Sequence, residues 1–198
     1  MAEMQNTEVE LPKVLIALGG NLTSELGPPL TTLKFALAMI RSRTGRLLFV
    51  SRFFKTPCFP VGNGPDYINA AAMFDFGGHP KNLLDILHEI EAIFGRRRDS
   101  RWGGRVLDLD LLAFGNQISP SLTKYTKWRD LPMSDQLKQA PNEMILPHPR
   151  IQDRGFVLAP LIDIVPKWRH PISGLTVIEM YANLPDYYRE DIYPIVIT

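Results

Sequence analysis

A single cysteine, Cys58, in 198 residues excludes an internal disulfide, and four histidines without close ligand spacing leave no convincing zinc site. Charge of one sign is lacking too. With 22 basic side chains against 21 acidic ones the net charge is +1, so nucleic acid is not held by overall charge, and any electropositive site must come from local clustering. Nor is there a long apolar run. Nothing approaches the roughly 18 residues that a bilayer span needs, and the polar stretch Met1 to Glu10 contains no signal-peptide core. These absences predict a cytoplasmic protein with no membrane and no nucleic-acid partner. Cys58 lies between Pro57 and Phe59 with no pairing His or Asn pattern around it, and reads as a passive loop thiol. No internal repeat is visible, which excludes solenoids.

What is present is an ordinary globular composition, 45% hydrophobic and 22% charged, and a length that suits one domain over 1–198 with residues 1–12 expected to be flexible. Val14 to Leu18 is a short apolar run stopped by Gly19-Gly20-Asn21, a strand ending in a turn. After Pro28 and Pro29, Leu30, Leu33, Leu37 and Ile40 recur at helical spacing. Leu47 to Phe54 and Tyr67 to Phe76 read as an antiparallel hairpin with a long Pro/Gly-rich tip, and Tyr67, Asn69 and Ala71 share a face of its second strand. A second helix begins near Pro80, carries Leu83, Leu87, Ile90 and Phe94 as its core stripe, and ends at Gly95. Leu84, His88 and Glu91 lie on a neighbouring ridge. Arg105 to Phe114 is the fourth strand. The order β-α-β-β-α-β is the α+β, ferredoxin-like split pattern. Ile118 to Asn142 is polar and reads as an insertion or extended loop (118–142). An apolar helical segment through Leu158, Leu161 and Ile162 follows, and the tail from Lys167 reads as a C-terminal extension of short elements packed on the core.

The most informative stretch runs from Arg96 to Asp110. Read with period two, Asp108 and Asp110 share one strand face, while Leu107, Leu109, Leu111 and Ala113 share the other. Asp is depleted in strands, so two of them side by side need a reason. Their side chains are rooted roughly 7 Å apart, which suits a pair of Mg²⁺ ions about 4 Å apart shared with a nucleotide. Arg96, Arg98, Arg101 and Arg105 supply planar forks for phosphate oxygens, and Gly95, Gly103 and Gly104 would let this stretch close as a lid. Two acids paired with nearby arginines on a solvated sheet face is the plainer alternative. Tyr67 and Phe156 could sandwich a flat heterocycle whose edge Asn69 would bond, although aromatic residues at such places are more often core.

Arg101-Trp102-Gly103-Gly104-Arg105 followed by Asp108-Leu109-Asp110 resembles the signature of the 6-hydroxymethyl-7,8-dihydropterin pyrophosphokinase family of folate biosynthesis. Ala17-Leu18-Gly19-Gly20-Asn21, Thr56-Pro57, Asp66 to Ala71, Glu91 with Gly95-Arg96, Leu146 to Arg150 and Arg154 to Leu161 match the family pattern in the same order. The resemblance covers Val14 to Pro166. It implies a ferredoxin-like fold and transfer of pyrophosphate from ATP to the pterin hydroxymethyl group with release of AMP. It implies that Asp108 and Asp110 bind two Mg²⁺ ions, and that Arg96 and Arg105 are the catalytic arginines of a mobile loop. His88, Glu91, Arg98, Trp102, Leu111, Ile145, His148 and Arg154 would lie around ATP. Thr56, Pro57, Phe59, Tyr67, Asn69, Trp102 and Phe156 would form the pterin pocket. The enzyme is expected to be a monomer. His88 stands where several members carry Gln, Gly20 where Ser is frequent, and Ile145 where Thr occurs. The competing reading is a ferredoxin-like RNA-binding module, which calls for a basic, aromatic sheet face rather than two acids.

Overall fold

Lys13–Gly20 forms β1, apolar on both faces, an inner strand of an antiparallel sheet. The computed structural model describes residues 10–58, 64–95, 104–132, 135 and 139–196. β1 leads to α1, Pro29–Thr44, which opens with a proline in its first turn and closes at Gly45, whose φ of 66° is in the left-handed region that glycine tolerates. Next come β2, Phe49–Val50, β3, Phe54–Thr56, and β4, Tyr67–Asp75. The helix α2, Pro80–Ile93, starts at His79, whose side chain accepts the Lys81 amide. β5 is Asp108–Phe114. The remaining elements are α3, Leu122–Arg129, α4, Gly155–Ile164, α5, Val177–Ala182, and β6, Tyr193–Pro194. The sheet order is β5-β1-β4-β3-β6, with β2 also on β4, and the expected ferredoxin-like α+β arrangement is present.

Alternation along the strands divides the core in two. Val14, Ile16 and Leu18 of β1 and Ala70, Ala72 and Phe74 of β4 face α1 and α2, where Leu33, Ile40, Leu83, Leu87 and Ile90 are fully buried. Leu15 and Ala71 face the opposite side, which α4 and α5 cover with Val157, Leu158, Leu161, Val177 and Met180. The second helical layer is thus built by α4 together with α5, which the C-terminal extension contributes. Among the described residues, no helix is long and apolar enough to cross a membrane.

Four local readings of the sequence need correction. The strand expected over Leu47 to Phe54 is split, because Phe49 and Val50 pair with Met73 and Ala72 while Phe54 pairs with Asn69, one residue out of register. Ser51 bridges this bulge, its hydroxyl accepting the Ala71 amide at 2.9 Å. The strand expected from Arg105 begins only at Asp108, because the Arg105 carbonyl is taken by the amides of Asn21 and Leu22 at 2.8 and 3.1 Å. Ala113 does not share a face with Leu107, Leu109 and Leu111. The pairing with β1 shifts between Leu15 and Ile16, and the bulge turns Ala113 to the side of Leu112, into the α4/α5 core. Finally, 118–142 is no plain loop. It contains α3, capped by the Ser121 hydroxyl and anchored by Tyr125, which is 1% exposed. The Arg150 guanidinium donates to the carbonyls of Arg129 and Leu131 at 2.9 and 3.5 Å, tying the end of α3 back to the core.

Candidate active site

The helices α4 and α5 cover only part of their face of the sheet. The remainder is floored by directly paired residues, which lie on the same face. Gly19 of β1 pairs with Asp108 of β5 on one side and with Asn69 of β4 on the other, and Ala17 likewise lies between Asp110 and Ala71. Tyr67 pairs with Thr56. The carboxylates and the Thr56, Tyr67 and Asn69 group thus share one surface, and two inter-strand steps put Asp108 and Asn69 about 10 Å apart.

Glycine between them is a steric requirement. A Cβ on Gly19 would lie 2.6 Å from Asn69 Oδ1, so the Asn69 amide lies over the space that β1 leaves empty. Asn69 is 6% exposed and its Nδ2 donates to Thr56 Oγ1 at 2.8 Å. That bond fixes the amide with Oδ1 on the Gly19 side. Gly20 is equally constrained, since its Cβ would lie 2.5 Å from the Val106 carbonyl oxygen. The serine common at that position would collide with the backbone here.

Arg105 forms an ion pair with Asp108, both side chains partly exposed. Burial works against the guanidinium charge, but Asp108, Asp110 and Tyr67 together outweigh it and raise its pKa. Burial pushes the Tyr67 phenol up, Arg105 opposes this and Asp108 adds to it. On the far side of the carboxylates Arg154 Nη1 donates to Asp110 Oδ2 at 3.1 Å, and its guanidinium lies 5.7 Å from the centre of the Phe156 ring. Phe156 is 40% exposed, which suits a ring awaiting a partner better than a core residue.

His148 sits beside this group, its amide bound to the Leu112 carbonyl at 2.7 Å. Its Nδ1 accepts the Arg150 amide at 3.1 Å, so the ring proton is on Nε2. Burial, then Arg154 and Arg150, hold its pKa well below the usual histidine range. His148 is therefore a neutral donor. Glu91, expected around a nucleotide, is 1% exposed, and its carboxylate accepts the Leu109 amide at 2.8 Å. It holds the strand between the two aspartates. Leu111 and Ile145 are buried apolar residues, while His88 lies exposed on α2. Thr56 is buried and Pro57 is half-buried at the end of β3. Phe59, Arg96, Arg98, Arg101 and Trp102 lie outside the described residues.

Sequence reasoning missed one residue that joins the two halves. Asn21 is 5% exposed. Its Oδ1 accepts the Arg105 amide at 2.7 Å and its Nδ2 donates to the Pro65 carbonyl at 2.9 Å. It thus ties the Arg105 segment to the loop between β3 and β4. The available signal was an asparagine directly after a glycine pair that ends a strand.

Residues 15–166 match the model of the family described as 7,8-dihydro-6-hydroxymethylpterin-pyrophosphokinase. The chain is 35% identical over 171 residues to a 2-amino-4-hydroxy-6-hydroxymethyldihydropteridine pyrophosphokinase of Synechocystis sp., covering 86% of this chain and 75% of that one. It is 36% identical over 176 residues to the protein of that name from Pseudomonas aeruginosa, covering 88% and 93%. The wild-type HPPK-DHPS of Plasmodium falciparum shares the fold, with a TM-score of 0.66 at 13% identity over 95% of this chain and 49% of that chain. The chain spans about half the length of such solved chains.

Proposed function

The chain belongs to the 7,8-dihydro-6-hydroxymethylpterin-pyrophosphokinase family, and we propose that the surface running from Asp110 across Gly19 to Tyr67 is where it works. The reaction is transfer of pyrophosphate from ATP to the hydroxymethyl group of the dihydropterin, a step of folate biosynthesis. The observation that carries the assignment is the pairing of Gly19 with both Asp108 and Asn69. It puts Asp108 and Asn69 on one floor, about 10 Å apart, a span of two strands, which supports a phosphate-handling end beside a heterocycle-handling end.

On this reading the pterin lies against Tyr67 and Phe156, with its polar edge on Asn69. The bond from Asn69 to Thr56 leaves the Asn69 carbonyl oxygen as acceptor for a ring N–H. Because burial raises the Tyr67 pKa, the ring stays a neutral phenol suited to stacking. Asp108 and Asp110 are hard oxygen donors, partly exposed, and no cluster of three or more metal-ligating side chains occurs among the described residues. Two carboxylates fit Mg²⁺ ions that complete their coordination with phosphate oxygens and water, and we assign two ions to them. When bound, Mg²⁺ supplies charge neutralisation for the polyphosphate.

Phosphoryl transfer depends chiefly on positioning and electrostatics. Arg105, kept charged by its acidic neighbours, meets the negative charge that develops between the two ends. Arg154 reaches Asp110 on one side and the Phe156 ring on the other, and in this proposal links nucleotide to pterin. His148 donates from Nε2 to the nucleotide without adding charge, and buried Glu91 fixes β5. Arg96, Arg98 and Trp102 complete the site in this proposal. No covalent enzyme intermediate is required. We read the chain as a single catalytic unit acting in the cytoplasm, and as a monomer, which sedimentation of the purified protein checks. Asp110→Ala is expected to abolish pterin-dependent AMP formation at every Mg²⁺ concentration. Turnover equal to that of the unaltered chain would remove Asp110 from the metal assignment.

A further inference from the structure

Beyond the residues matched by the family model lies a C-terminal arm, from Pro185 to β6, that touches both walls assigned to the pterin. One end rests on α4. A Cβ on Gly155 would lie 1.8 Å from the Tyr188 carbonyl oxygen and 3.1 Å from Ile192 Cδ1. Arm backbone therefore fills the place of a side chain at the first residue of the helix, directly between Arg154 and Phe156. The other end joins the sheet, where Tyr193 and Pro194 pair with Lys55 and Phe54. The Ile195 amide then donates to the Phe53 carbonyl at 2.7 Å. Between the two ends the chain reverses at Asp191, whose φ of 58° is unusual for a residue other than glycine. The Tyr193 hydroxyl donates to the Asp191 carboxylate at 3.0 Å and closes that reversal.

Neither wall is held by its own element alone. α4 starts without a side-chain cap, and Phe156 projects into solvent rather than core. β3 is three residues long and follows a bulge. We propose that the arm is a positioning strap that sets the separation between Phe156 on α4 and the Thr56 and Asn69 pair on β3 and β4, and so the width of the slot that a flat heterocycle enters. Ile195, through its amide, and Gly155, through its missing side chain, are the positioning residues.

The inference rests on the assignment of Phe156, Thr56 and Asn69 to the pterin. Ile195→Pro removes the amide that holds the arm to β3, and Gly155→Ala drives a methyl group into the Tyr188 carbonyl. Steady-state AMP release with dihydropterin and ATP varied in turn is expected to show the pterin KM raised about tenfold in each variant, because a wall displaced by a fraction of an ångström misplaces the ring. In Ile195→Pro the KM for ATP and the kcat at saturating pterin are expected to stay near those of the unaltered chain, whereas Gly155→Ala, next to Arg154, is expected to raise the ATP KM as well. A pterin KM unchanged in Ile195→Pro, or a loss confined to kcat, overturns the strap. If Gly155→Ala does not fold, Ile195→Pro decides the question by the same criterion. Absence of pterin-dependent AMP release by the unaltered chain refutes the functional reading itself, and the strap with it.

Discussion

Replacing Asn21 with alanine removes the acceptor of the Arg105 amide and the donor to the Pro65 carbonyl in one step, at a site only 5% exposed to solvent. Each bond contributes about 1 kcal/mol net, and an amide or carbonyl left buried without its partner costs about 1–3 kcal/mol. The Arg105 carbonyl remains held by the Asn21 and Leu22 amides, so the segment stays attached but loosens. A destabilisation of about 2–4 kcal/mol follows, and a drift of about 1 Å in the Arg105 guanidinium is expected to lower kcat/KM about 100-fold. Asn21→Asp separates the two bonds. It keeps an acceptor for the Arg105 amide but presents a carboxylate to the Pro65 carbonyl, so it should retain more of kcat than alanine does. Urea unfolding and AMP release, measured on both variants, test this. Wild-type kcat/KM together with a wild-type unfolding midpoint in Asn21→Ala would refute the claim that this side chain joins the two substrate regions.

Two further outcomes follow from buried groups. His170 accepts the amides of Ile172 and Ser173 on Nδ1, so the proton on Nε2 is donated to the Tyr125 hydroxyl oxygen at 3.2 Å, and burial, helped by Arg129, lowers its pKa to about 4. The folded pKa lies below the unfolded value of 6.5, so this contribution is complete above pH 6.5 and is lost as pH falls toward 4. The lowering amounts to about 3 kcal/mol, and unfolding free energies of the unaltered chain and His170→Gln should converge from pH 7 to pH 4.5. A difference independent of pH would remove His170 from that role. Gly19→Ala pushes a methyl group against Asn69 Oδ1 and should raise the pterin KM while leaving ATP-analogue binding intact. Equal weakening of both ligands would show that Gly19 serves the sheet generally.

Much of the fold was legible because its period-two and helical patterns are strong. The apolar runs of β1 and β4 and the α2 stripe at Leu83, Leu87 and Ile90 belong to elements that propensity and burial favour together. What escaped was settled by single long-range contacts. α3 buries one side chain, Tyr125, whose partner His170 is 45 residues away, so the segment carries no periodic signal. Likewise Ala113 changes faces through a bulge opposite Leu15, and the Phe49 to Thr56 strand slips register around Ser51. In the site, Asp108 and Asp110 could be paired from spacing alone. Gly20 could not be interpreted from its type. Only the approach of the Val106 carbonyl explains why no side chain stands there.

The account turns on coupling between the two ends of one sheet surface, and AMP release with and without the hydroxymethyl dihydropterin measures that coupling. With Mg²⁺ and ATP present, the purified chain should form AMP in proportion to the pterin consumed, and almost none when the pterin is left out. AMP formed at the same rate without the pterin, or ADP and phosphate as the products, would contradict it.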